Sequence, residues 1–210
     1  IRFLNDMQWY HCDISVGNIG FRFIPNCGGV SIKLHDFDLA KHHHTSNSGG
    51  PHPMGTLPFM SIELLERPNA PQMIGFEVEA LCWTLFWIVR VYTNGEDKHT
   101  DEDHPLRDWF ANGRTPESIA LSKCAYLRKV VGYTNEFYRD MEGQFRDLAR
   151  TWHLMLYAQW NERHEQRNDT LLSESLYGML GFNKFQDWME SKGWNTPKQP
   201  CTCGKHSVQK

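Results

Sequence analysis

Neither sign of charge dominates this chain. Its 22 Lys and Arg stand against 25 Asp and Glu, a net of −3, which gives no electrostatic case for nucleic acid or an anionic membrane as a partner. Long apolar runs are also missing. The longest, 80–92, contains Arg90 and falls short of the roughly 20 residues a bilayer span needs. The opening residues lack the charged start, apolar stretch and small-residue cleavage site of a signal peptide. The six cysteines (Cys12, Cys27, Cys82, Cys124, Cys201, Cys203) follow no framework spacing. Cys82 lies in an apolar helical pattern, where a buried thiol is expected. That usage suits a reducing compartment, the cytosol or nucleus. The first residue is Ile1, not Met, and the chain reads as a piece of a longer protein. What is abundant is aromatic: eight Trp and twelve Phe in 210 residues, enough to build a core, with one domain the natural expectation.

Along the chain the patterns change in order. Residues 20–24 and 30–34 alternate, with Phe21 and Phe23 on one face of the first run and Val30, Ile32 and Leu34 aligned in the second. The intervening Pro-Asn-Cys-Gly-Gly makes this a β-hairpin. Residues 40–57, rich in His, Ser, Gly and Pro, read as a long loop. From 75 to 93, Val78, Leu81, Cys82, Leu85, Phe86 and Val89 recur at helical spacing while Trp83 and Trp87 occupy the other side. A helix apolar almost all round belongs inside a domain. Residues 94–114 are polar and acidic and read as loop. Thr115 followed by Pro116 marks a helix start, with the helix running to about 128. Further helices are expected over 135–163 and 172–192, the latter interrupted at Gly181, and a disordered tail over 196–210. No repeat is visible. The expected fold is α+β and mainly α, with a short hairpin, a long loop and then four helices in one unit over 1–195.

The chemistry-bearing residues cluster near the beginning. His11-Cys12-Asp13 is followed by Asn18, five residues beyond the Asp, and then by Asp36-Phe37-Asp38 after the hairpin. This is the layout of a phosphotransfer site. Phosphoryl transfer asks for an acceptor hydroxyl held in line and for metal ions that neutralise the phosphates. Asp13 can accept or orient the hydroxyl proton. Mg²⁺ takes oxygen ligands and few of them from protein, so the Asn18 amide oxygen and the Asp36 carboxylate are the candidates. The hairpin folds Asp36 back beside the loop carrying the other two.

These residues resemble a known family. His11-x-Asp13-x-x-x-x-Asn18 looks like the catalytic loop of protein kinases and Asp36-Phe37-Asp38 like their Asp-Phe-Gly metal motif. Gly55-Thr56-Leu57-Pro58-Phe59-Met60-Ser61-Ile62-Glu63 is similar to the end of a kinase activation segment, and Glu77-Val78-Glu79-Ala80-Leu81 to the start of the buried helix of the C-terminal lobe. Together the variants resemble the fungal-type protein kinase family over roughly 8–165. The resemblance implies a kinase C-terminal lobe, ATP and Mg²⁺ as cofactors, and a protein substrate entering through a Ser- or Thr-containing segment. It implies catalytic roles at Asp13, Ser15 and Thr56, and nucleotide and metal contacts at Asn18 and Asp36. Thr56 would orient Asp13, and Glu77 stands where the family usually has the Asp that caps the catalytic-loop backbone. Departures accompany it. Cys12 replaces the Arg that reads activation-segment phosphate, which weighs against control through Thr45, Ser46 or Ser48. Ser15 replaces a Lys, and Asp38 replaces a Gly that frees the backbone. No Gly-rich phosphate loop, strand Lys or partner Glu occurs in these 210 residues. The expected function is the catalytic segment of an ATP-dependent Ser/Thr kinase, inactive in isolation. A pseudokinase or kinase-like binding module is the alternative. Small-molecule phosphotransferases share the loop but lack the peptide-platform segment.

Other features have plainer readings. His11 is expected to pack and hydrogen-bond within its loop, and Glu63 to pair with Arg163 or Arg167. The tract His42-His43-His44 with His52 reads as solvated loop. Cys201-x-Cys203 with His206 lacks zinc-site spacing. Asn168-Asp169-Thr170 reads as a helix start rather than a glycosylation acceptor, and Trp83 with Trp87 as core.

Overall fold

The structure is a computed structural model that describes residues 4, 6–24, 30–43, 54–93, 96–97, 107–110, 113–132, 187 and 190–191. These residues form a mixed α+β arrangement. The hairpin pairs β2 (Ile19–Phe23) with β3 (Val30–Leu34) antiparallel, in the register Ile19↔Leu34, Phe21↔Ile32 and Phe23↔Val30. Before it, β1 (Trp9–Tyr10) pairs with β4 (Lys41–His42), Trp9 opposite His42. The stretches 9–19 and 34–42 therefore run antiparallel and are tied at both ends. Between the ties the chain is free to bulge, and the motif residues occupy that bulge. The sequence reading of 40–57 as loop is corrected at its start, because a two-residue strand carries no period to detect.

The hairpin presents its apolar alternation outward. Phe21, Phe23 and Ile32 are 69%, 72% and 71% exposed, so the pairing is held by backbone bonds and by contacts such as the edge-to-face Phe21–Phe23 pair at 5.9 Å.

The helices build the core. The first, α1 (Ile62–Glu66), starts at Ser61, whose hydroxyl accepts the Leu64 N–H at 3.3 Å. The long α2 (Ile74–Val91) matches the expected buried helix. Phe76, Cys82, Trp83 and Phe86 are buried on it, and so is Trp87 on the side away from the main stripe. The last two residues of the stretch read as helix form β5 (Tyr92–Thr93), paired with β6 (Glu96–Asp97); β6 and a helical turn, α3 (Arg107–Phe110), lie within 94–114, read as loop. Trp109 in that turn is buried and stands edge-on to Trp83 at 5.2 Å, its indole N–H donating to Ser122 Oγ at 3.1 Å. The last long helix, α4 (Pro116–Gly132), runs one turn past its expected end. Thr115 caps it by accepting the Ser118 N–H at 3.3 Å.

No described helix is long and apolar enough to cross a membrane. The expected helix over 135–163, nearly all of that over 172–192, the tail over 196–210, the turn 25–29, the Arg partners of Glu63, the cysteine pair with His206, and Asn168 lie outside the described residues. So do Thr45, Ser46, Ser48, His44 and His52. Residues 187, 190 and 191 are helical.

Phe86 is fully buried against Trp83 and Tyr126, with centroids at 5.6 and 6.1 Å. Phe86→Ala should lower stability by about 3–5 kcal/mol, while Leu121→Ala, at an exposed position of α4, should stay within about 0.5 kcal/mol. Urea denaturation of the two variants checks both.

Candidate active site

Glu77 sets the position of the loop. Its carboxylate accepts the N–H of His11 at 3.1 Å and of Cys12 at 3.0 Å, and the Gln72 side-chain amide at 3.2 Å. Burial pushes the Glu77 carboxyl above its ordinary range, and these three donors pull it back. Cys12 sits in the left-handed region at φ 65°, a conformation that costs a non-glycine residue on the order of 1–2 kcal/mol. The two N–H groups on one carboxylate are what hold it there.

His11 is fully buried beneath the loop. Burial lowers its pKa, so the ring is neutral. Its Nε2–H donates to the His35 carbonyl at 3.1 Å, and its Nδ1 accepts the Asp13 N–H at 3.3 Å. The ring also meets Phe37 edge-on at 4.8 Å. The histidine thus staples the first motif to the second, as its expected structural role requires.

Asp13, Asn18 and Thr56 come together directly. Asp13 Oδ1 accepts Thr56 N–H at 2.8 Å and Thr56 Oγ1–H at 2.7 Å, and Asp13 Oδ2 accepts Asn18 Nδ2–H at 2.8 Å. Asn18 Nδ2 also donates to the Asp13 carbonyl at 2.9 Å. Both partners of Nδ2 are acceptors, so the amide orientation is fixed and Oδ1 is the oxygen left for another ligand. A carboxylate offers about four acceptor sites. Three are used within the protein, and the remaining one can take a proton from an incoming hydroxyl.

Asp36 is adjacent to this group through the backbone. The His35 N–H donates to the Asn18 carbonyl at 3.0 Å, one step beyond the Ile19↔Leu34 pair. Asp36 itself is exposed and adopts φ 64°, a region Asp tolerates better than most residues. The positive φ falls on Asp36 and not on Asp38, so the replacement of Gly by Asp38 meets no left-handed backbone there. Asn18 Oδ1 and the Asp36 carboxylate are hard oxygen donors of the kind Mg²⁺ prefers. Among the described residues no group of three or more His, Cys, Asp or Glu converges as a metal site. Ser15 is only 3% exposed, and its hydroxyl does not cap the short 3-10 helix Val16–Asn18 that follows.

Gly55 brings Thr56 onto Asp13. It has φ 119°, and a Cβ there would lie 2.8 Å from the Cys12 carbonyl oxygen, so only glycine permits the approach. A cavity of ≈ 20 Å³ lies beside this contact, lined by Cys12, Asp13, Thr56, Gln72 and Glu77 among others. It has room for an ordered water and not for a larger group.

Residues 2–89 match the model for the fungal protein kinase family. That stretch is similar to the fungal protein kinase family. The match takes in Asp13, Asn18, Asp36, Thr56 and Glu77 and ends within α2, whereas the resemblance was expected to reach 165. No curated protein matches the chain. Two features of the matched stretch escaped sequence reading. Gln72, as a third donor to Glu77, left no signal, since nothing in a Pro-Gln-Met run marks a partner. The histidine tract is not simply solvated: His42 and His43 are half-buried, with His42 edge-on to Trp9 at 5.6 Å and His43 stacked on Tyr10 at 4.1 Å. An aromatic-rich strand facing a His pair was the available hint.

Gly55→Ala should cost about 1–3 kcal/mol and detach Thr56 from Asp13, read from urea denaturation and from the Thr56 amide resonance. Burial, reinforced by the neighbouring Glu77, pushes the Cys12 thiol from 9.0 up to about 12. Only the thiolate is nucleophilic, so at pH 8 Cys12 should react with iodoacetamide about 1,000-fold more slowly than an ordinary thiol. Peptide-resolved mass spectrometry measures that rate.

Proposed function

We propose that this region is the catalytic segment of an ATP-dependent Ser/Thr protein kinase, with the architecture of a kinase C-terminal lobe, and that the 210 residues alone transfer no phosphate. The observation carrying the reading is the bonded group Thr56–Asp13–Asn18, with Asp36 tied beside it through His35. Thr56 holds Asp13 by two bonds to one oxygen, which orients the carboxylate. Its remaining acceptor position takes the proton of a substrate Ser or Thr hydroxyl as that oxygen attacks. Asn18 steadies the other carboxylate oxygen and keeps its own Oδ1 for another ligand. Asn18 and Asp36 would hold Mg²⁺ with the nucleotide, and the cation would neutralise the phosphate charge. A protein substrate in the cytosol or nucleus is the partner this chemistry calls for.

The isolated chain is proposed to be inactive because transfer depends on nucleotide held in register with Asp13, and these residues include no Gly-rich phosphate loop. One observation favours the alternative of a kinase-like binding module. Ser15 is buried and uncharged, so it brings no positive charge to a moving phosphoryl group.

In a protein joining this segment to an ATP-binding lobe, Asp13→Asn and Asp36→Asn should each cut turnover at least about 100-fold. Incorporation of labelled phosphate into Ser/Thr peptides measures it. The isolated 210 residues should give only background incorporation. Near-unchanged turnover in Asp13→Asn would overturn the catalytic assignment, and nucleotide binding with no transfer in the unchanged protein would favour the binding module.

A further inference from the structure

Ser61 is fully buried, and both peptide groups flanking it are gripped by buried side chains of opposite charge. On one side, Glu79 of α2 accepts the Ile62 N–H at 2.8 Å and the Trp83 indole N–H at 3.0 Å. On the other, Lys123 of α4 donates from Nζ to the Met60 carbonyl. Lys123 is fully buried, with its Nζ over the Trp83 ring at 4.7 Å and the Trp109 ring at 5.3 Å. A buried amine usually needs a reason, since fully burying a Lys is rare without a partner. Here the partners are a backbone carbonyl and two indole faces.

The carbonyl matters because of what precedes it. Met60 closes the 3-10 turn Leu57–Phe59, with its N–H donating to the Leu57 carbonyl at 3.2 Å and the Phe59 N–H to the Thr56 carbonyl at 2.9 Å. Thr56 is bonded twice to Asp13. An unbroken series of direct contacts therefore runs from α4 to the Asp13 carboxylate. We propose that Lys123 is a positioning residue: from α4 it holds the Met60 carbonyl and thereby keeps Thr56 against Asp13. It touches neither substrate nor cofactor. Its consequence for turnover rests on the phosphotransfer reading, but the contact can be tested without any activity.

The grip responds to proton loss. Burial pulls the Lys123 amine from 10.5 down to about 7, opposed by the Glu79 carboxylate and by Cys124. Glu79 from α2 and Cys124 from α4 are the titratable groups whose charges bear on it. When the strap formed by residues 56–62 opens, the amine meets water and regains its ordinary value. The closed form thus binds fewer protons than the open form between about 7 and 10.5, so closure is favoured as pH rises through that window and not below it.

Hydrogen exchange of the Thr56, Phe59 and Met60 amides, corrected for the intrinsic pH dependence of exchange, tests this in the full chain between pH 6 and pH 9. Protection should be level below pH 7 and rise at least about ten-fold by pH 9, while bonded hairpin amides such as Gly20 and Arg22 stay level. In Lys123→Met the rise should vanish. A level profile at Thr56 in the unchanged protein, or an equal rise in Lys123→Met, overturns the proposal. If that variant does not fold, the unchanged protein's profile decides alone. Because the readout is exchange, its failure removes the positioning role and leaves the Asp13→Asn turnover test to judge the catalytic reading.

Discussion

A single buried carboxylate carries the arrangement. Glu77 takes the backbone N–H groups of His11 and Cys12 and so pins the motif loop to the start of α2. Without it two peptide donors would be buried unpaired, and Cys12 would have nothing to hold it at a positive φ. Burying a carboxylate costs several kcal/mol, and three hydrogen bonds to the charged form offset that. Glu is one methylene longer than the Asp expected at this place by resemblance. The Gln72 amide occupies the same oxygen as Cys12, which helps satisfy the carboxylate at its greater reach.

Two residues further along α2, Glu79 does similar work in another direction. Positions i and i+2 of a helix do not face each other, so Glu77 and Glu79 address different segments from the same turn. Glu77 holds the loop containing Asp13, and Glu79 holds the Ile62 end of the strap whose other end reaches Thr56. One helical turn indexes both components of the site against each other. The surrounding rings of Trp83, Phe86, Trp109 and Tyr126 keep water away from these contacts, and in such surroundings a hydrogen bond to a charged group is stronger than in water.

Much of this was legible in the residues. The period of 75–93 identified the long helix, and Thr115-Pro116 marked the start of another, because amphipathic spacing and capping are local properties. The motif spacing grouped Asp13, Asn18 and Asp36, which a single hairpin suffices to bring back, and the family resemblance added Thr56. Two-residue strands such as Lys41–His42 were not legible, since they have no period and exist only through their partner. Trp109 sat in a stretch too polar to read as core, and nothing local marks Lys123, whose burial comes from indoles 14 and 40 positions away.

The sequence by itself determined the chemistry on offer: a carboxylate to accept a proton, oxygens for a hard cation, a glycine where the chain must turn closely, and a family resemblance that the match over 2–89 supports. Only the tertiary structure decided how those groups are held. It put the left-handed residue at Asp36 rather than Asp38, buried Ser15, recruited Gln72 to Glu77, and set Lys123 against the Met60 carbonyl. The division has a physical reason. Reactive groups are specified by side-chain identity and short spacing, whereas the donors that position them come from distant segments that meet only when the core closes.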